Sequence, residues 1–120
     1  MRILEQGVTI GGGMLVCPRC GGDYLHQSDV MVFNCGEDAE KAHLTGVIKD
    51  GTGAIVTVAN VDNNSSLNPS PRRHGLLIDF WCESCDVERK PDGTYVENRS
   101  EIRLAIYQHK GCTLMDWRQS

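Results

Sequence analysis

Along most of this chain apolar residues recur at every second position, and no useful length repeats at 3.6, so the pattern predicts strands rather than helices. Residues 24–34 (YLHQSDVMVFN) place Val30 and Val32 on one face and Met31 and Phe33 on the other, as in a strand covered on both sides at its end. Residues 35–45 are charged and lack β-branched side chains until Thr45, which reads as a loop or one short helical turn. Two β-rich runs, 45–49 and 54–61, flank Asp50-Gly51-Thr52-Gly53 and predict a hairpin. The stretch 62–75 (DNNSSLNPSPRRHG) is polar and proline-containing and predicts a long exposed loop. Residues 76–81 (LLIDFW) form the next strand, and 86–98 are a polar excursion turning at Pro91-Asp92-Gly93. Strands at 101–108 and 113–117 close the chain around a turn at His109-Lys110-Gly111.

Ahead of these elements, residues 1–13 end in three consecutive glycines, which carry a high ordering cost. They are expected to be a flexible leader to a single β domain over 14–120, with Met14 a candidate natural start. Aromatic residues are few, so the core must rest on Val, Ile and Leu, which again favours strands. The net charge of −4 would become about −6 with four thiolates around one dication. Non-specific nucleic-acid binding needs a basic footprint and is disfavoured. No apolar run reaches the length of a membrane span, and the N-terminus lacks the pattern of a signal peptide, so a cytoplasmic, reducing setting is expected.

In such a setting, cysteines in CxxC pairs point to metal rather than disulfides. Cys17-Pro18-Arg19-Cys20 and Cys82-Glu83-Ser84-Cys85 are two such pairs, and together they supply the four sulfurs of a tetrahedral zinc site. Pro18 stiffens the first turn, and Gly21 permits the positive φ that aims backbone N–H groups at sulfur. The alternative of a CPRC redox centre lacks the strand–helix context such dithiols use. The CPxCG form of Cys17–Gly21 resembles the first knuckle of zinc-ribbon proteins, and the second pair follows a strand as it does in that family. Asp86 departs from the glycine usual there. The resemblance spans the knuckles and their flanking strands, about half the chain. It implies a mainly β zinc-ribbon antiparallel sheet, with an inserted β-hairpin and a long loop, holding one structural Zn2+; it implies no activity.

Cys35, His43, His109 and Cys112 are candidates for a second metal site, against the common alternative that a free cysteine is a small core residue. Cys112 with His109 or His26 is the candidate nucleophile–base pair of a hydrolase, but nothing supplies a third, orienting group. Arg72, Arg73 and His74 in the long loop, together with Trp81, are candidate partner contacts. Trp81, Tyr107 and Trp117 form either a stacking platform for bases or part of the core. A closed four-cysteine site has no position for a reactive water, so the expected role is a non-catalytic binding module with a protein partner. The alternative is a zinc-ribbon nucleic-acid-binding or regulatory protein. Small acidic ribbons also resemble accessory proteins of phages and mobile elements, including inhibitors of host defence. A homodimer through the edge of a strand such as 101–108 is a further expectation.

Overall fold

Apart from the turns and loops between them, the described residues of this computed structural model, 2–50, 53–63, 66–85, 87–97 and 102–119, form strands and no helix. The strands are β1 (Arg2–Ile3), β2 (Ile10–Gly11), β3 (Met14–Leu15), β4 (Leu25–Asn34), β5 (Lys41–Asp50), β6 (Gly53–Asp62), β7 (Gly75–Cys82), β8 (Val87–Arg89), β9 (Tyr95–Glu97), β10 (Ile102–His109) and β11 (Cys112–Gln119). Seven of them make one sheet in the order β1-β11-β10-β7-β4-β5-β6, and β2-β3 and β8-β9 are two small ribbons. The large sheet is antiparallel at every pairing. The mainly β expectation therefore holds.

Local chemistry explains most of the boundaries. The β10–β11 hairpin turns at Lys110 (φ 49°) and Gly111 (φ 80°), with His109 opposite Cys112. Two successive positive φ values give the turn whose twist matches paired strands. Strand β5 starts at Lys41, earlier than the charged run suggested, because Ala42 and Leu44 point into the sheet while Lys41, His43 and Thr45 face out. That is a period-two strand whose exposed positions happen to be polar. The tip of the β5–β6 hairpin, residues 51 and 52, lies outside the described residues. The polar excursion holds one pairing that its composition hid: β8 against β9, closed by a turn in which Gly93 has φ 88°.

Cross-strand register sorts side chains onto two faces. One face carries Ile78, Phe80 and Cys82 of β7, Ile102 and Leu104 of β10 and Trp117 of β11, with Leu4, Val8, Leu15 and Cys17 from the N-terminal segment packed over them. Phe80 and Trp117 meet edge to face, ring centroids 5.7 Å apart, the arrangement aromatic quadrupoles favour. The opposite face buries Met31, Phe33, Leu77 and Ala105. The segment expected as a leader thus carries contacts with the sheet: Arg2 and Ile3 pair with Gln119 and Arg118, and the Leu4 N–H donates to the Trp117 carbonyl at 2.8 Å.

Two expectations are corrected. Strand β10 lies between β11 and β7, so it is an interior strand and offers no edge for dimerisation. The 62–75 loop is wired into the fold by the same polar residues that suggested simple exposure. Asn63 Nδ2 donates to the Pro71 carbonyl (2.6 Å), and Asn68 Nδ2 to Asn63 Oδ1 (2.8 Å) and the Arg73 carbonyl (2.9 Å). Ser70 Oγ donates to the Gln108 carbonyl (2.8 Å). Asn63 and Ser70 are buried, as satisfied polar groups can be.

Candidate metal centre

The two CxxC pairs, 62 residues apart from Cys20 to Cys82, meet because β4 and β7 are neighbours in the sheet. Leu25 pairs with Cys82, so the five residues after Cys20 lead directly to the end of β7. The Glu83 N–H donates to the Tyr24 carbonyl at 3.0 Å and fixes the second turn beside the first. Within the first knuckle, the Cys17 N–H donates to the Gly22 carbonyl (2.8 Å) and the Gly21 N–H to the Cys17 carbonyl (2.9 Å). Gly21 has φ 76°, the left-handed conformation that the turn requires. Gly22 then donates its N–H to Cys20 Sγ at 3.4 Å. Asp86, where the second knuckle departs from the ribbon pattern, lies outside the described residues.

The four Sγ atoms all lie within 4.8 Å of one another. Cys17 and Cys85 are 3.9 Å apart at sulfur, and Cys20 and Cys82 are 3.5 Å apart. A tetrahedron with metal–sulfur bonds of about 2.3 Å has edges of about 3.8 Å. A disulfide would need sulfurs about 2.05 Å apart, and all six cysteines are free thiols. The donor set therefore fits one tetrahedral, thiophilic metal ion. Cys17 and Cys82 are buried, whereas Cys20 and Cys85 face solvent, so the cluster sits at the rim of the core.

The electrostatics of the four thiols point the same way. Burial raises the Cys17 thiol, but the backbone N–H groups of Cys20 and Arg19 and the thiols of Cys82 and Cys20 outweigh it, leaving it lowered to about 7. Burial pushes Cys82 up. Cys85 is driven up strongly by desolvation against the cluster, despite its exposed outer side, and then by the thiols of Cys82, Cys20 and Cys17. One thiolate forms readily and further ones resist, because each adds negative charge beside the last. A bound dication reverses that resistance.

The other candidates are placed differently. Among the described residues the cysteine quartet is the one group of metal-ligating side chains close enough to share an ion. Cys35, His43, His109 and Cys112 form no such group. Cys35 is buried, and its thiol faces the carbonyls of Gly36 (3.3 Å), Ala39 (3.7 Å) and Arg72 (3.8 Å). Its backbone N–H donates to His74 Nδ1 at 2.9 Å. Arg72 pairs with Asp38 (3.5 Å) and Arg73 with Glu37 (2.7 Å), so the three basic loop residues fasten the loop to the 35–40 turn. Trp117 is fully buried, and Tyr107 donates its hydroxyl to Asp116 Oδ2 at 2.7 Å. Trp81 stacks on His26 (4.1 Å, 12°), whose Nε2 lies 3.1 Å from Glu83 Oε2. No common platform of the three aromatics forms. The feature that sequence reasoning missed is a groove of about 330 Å³ on the sheet, lined by Val32, Leu76, Ile106 and Tyr107 with His74 and Gln108 at its end. Its signal was the row of outward apolar residues at alternate strand positions.

Comparison with protein-family models, with curated proteins and with solved structures finds no match. The class defined by fold and site is thus a mainly antiparallel β protein with a four-cysteine cluster that could hold a metal ion. No helix among the described residues is long and apolar enough to cross a membrane.

Proposed function

We propose that this chain is a non-catalytic binding module whose sheet is clasped by one structural Zn2+ on Cys17, Cys20, Cys82 and Cys85. The observation that carries the reading is the mutual approach of four sulfurs from two knuckles to within 4.8 Å. All four vertices of a tetrahedral shell are then protein thiolates, which leaves none for an activated water or a substrate. Four soft donors also suit iron, and colour separates the two metals. The test is metal content per chain in the wild type and in Cys82→Ser. One equivalent of zinc in the wild type, lost in Cys82→Ser together with the packing of the N-terminal cover, supports the reading; a wild type that carries no metal overturns it.

A protein is the favoured partner, since the chain is acidic overall and its apolar groove is open to solvent. The nucleic-acid alternative is weakened because Arg72 and Arg73 already face Asp38 and Glu37. Affinity capture from native lysate with and without nuclease distinguishes them: a partner that survives nuclease supports the protein reading, and one that disappears refutes it. The narrower role of a phage or mobile-element inhibitor rests only on general likeness to small acidic ribbons, and capture of a defence protein is its specific test.

A further inference from the structure

Strand β6 closes one side of the sheet and, among the described residues, has no neighbour on its outer side. It is ten residues long and pairs with β5 in unbroken register from Lys41↔Asp62 to Asp50↔Gly53. A long, regular edge strand leaves a row of main-chain donors and acceptors unpaired, and proteins ordinarily blunt such an edge with lysine, proline, a bulge or brevity. GAIVTVANVD contains no lysine and no proline, the register shows no bulge, and the one charge is at the last position. The opposite edge is managed differently, because β1 covers the end of β11.

The side chains on the strand point to one occupant. Val56 and Val58 stand on the same face of β6, opposite Val47 and Thr45, and are 65% and 76% exposed, the highest values among the exposed large apolar residues after Tyr24 is set beside them. An antiparallel pairing of β6 with a second copy of itself, centred on Thr57, places Val56 opposite Val58 of the other copy, twice by symmetry. Asp62 falls outside the paired span and meets no like charge. A two-fold axis of this kind is the commonest way for identical chains to associate. About nine facing residues yield about nine main-chain hydrogen bonds, because antiparallel pairs exchange two bonds at every second position. That is comparable to the roughly ten direct hydrogen bonds of a typical protein interface.

We propose that the β6 edges of two copies pair antiparallel about Thr57, joining two seven-stranded sheets into one continuous sheet with a buried Val56–Val58 cluster at its centre. The pairing is independent of the metal reading, because β6 is the edge strand, separated from β7 and its knuckle by β4 and β5. The test is sedimentation of the full metal-loaded chain over a wide concentration range, for the wild type, V56K/V58K and V56K/V58E. Both valines are exposed, so the substitutions leave the monomer's packing intact, and circular dichroism and metal content report on that separately. The wild type is expected at twice the 13.3 kDa chain mass. V56K/V58K puts like charges opposite each other in two places and should weaken association by roughly tenfold to a hundredfold. V56K/V58E instead puts opposite charges in register and should retain the dimer. A wild type that stays monomeric throughout, or a V56K/V58K chain as dimeric as the wild type, overturns the proposal. A monomeric V56K/V58E overturns the Thr57-centred register.

Discussion

Asp79 is the most deeply buried charged side chain among the described residues, and replacing it by alanine should be strongly destabilising. Its side chain is 1% exposed on β7, directly across from Arg103 on β10, with Arg103 Nε 2.7 Å from Asp79 Oδ1. The contact is an ion pair rather than a straight hydrogen bond. Asp79→Ala removes the carboxylate and leaves the guanidinium, itself only 19% exposed, against the cavity. Removing one partner of a buried pair costs about 3–5 kcal/mol. Because the arginine retains some access to water, the expected loss lies near the lower figure, about 3 kcal/mol. That is a substantial part of the roughly 5–15 kcal/mol that holds a domain together.

Urea unfolding in a fixed excess of zinc, followed by fluorescence of the buried Trp117, measures the loss. With a slope of about 2 kcal/mol/M, the midpoint should fall by about 1.5 M. The companion variant D79L/R103M removes both charges and fills the space, and it should recover to within about 1 kcal/mol of the wild type. A loss below about 1 kcal/mol in D79A, or a double variant no more stable than D79A, would refute the account of Asp79 and Arg103 as mutually dependent buried charges.

Two further perturbations follow from the opposite face and the wired loop. Tyr107→Phe should cost about 1–2 kcal/mol, because the hydroxyl donates to a carboxylate that Arg118 continues to hold. The bond to Asp116, then burial, raises the Tyr107 ionisation above its usual value of 10.0. Its stabilisation is therefore complete below pH 10 and lost as pH rises through the raised value, so the alkaline fall in stability should be shallower in Y107F than in the wild type; identical alkaline profiles would contradict this. Gly75→Ala should cost about 1–3 kcal/mol and loosen the 66–74 segment in hydrogen exchange, because a β-carbon there would run into Asn68 Oδ1 and sit 2.7 Å from Pro69 Cδ. Unchanged protection at Ser70 and Arg73 would show that the loop does not depend on this close approach.

The strands were legible wherever period two met β-branched residues, as in 54–61 and 76–81, and the four-cysteine cluster was legible because CxxC turns present paired sulfurs whatever lies between them. Strand β5 was read short because Lys41, His43 and Thr45 occupy outward positions, and composition averages over both faces. The β8–β9 ribbon was hidden for a related reason, since main-chain groups pair strands whatever the average polarity of the stretch. The asparagines and serines of 62–75 are residues that bond to nearby backbone in turns, as Asn68 and Ser70 do, and only the fold reveals that Asn63, Asn68 and Ser70 also bond to more distant chain. Which strands form edges is a property of sheet order, which alternation alone leaves open. That is why 101–108 suggested an edge and β6 turned out to be one.

The clasp and the sheet face are coupled by packing. Cys17 and Cys82 belong to the same apolar cluster as Phe80, Ile102, Leu104 and Trp117, and the N-terminal residues Leu4, Val8 and Leu15 cover it. Further along that face Val32, Val47, Val56, Val58 and Met115 are already exposed. The covering segment is anchored by the β1–β11 pairing at one end and by the two knuckles at the other, so releasing a bound metal loosens one of its two anchors over the buried part of that face. Chelation should therefore raise binding of an apolar dye and promote aggregation while strand content persists, and restoring zinc should reverse the dye signal. Far-ultraviolet circular dichroism and dye fluorescence recorded on the same sample test this. Loss of strand signal in step with dye binding would mean that the metal holds the whole sheet, and an unchanged dye signal on complete metal removal would mean that Leu4, Val8 and Leu15 stay in place without the clasp.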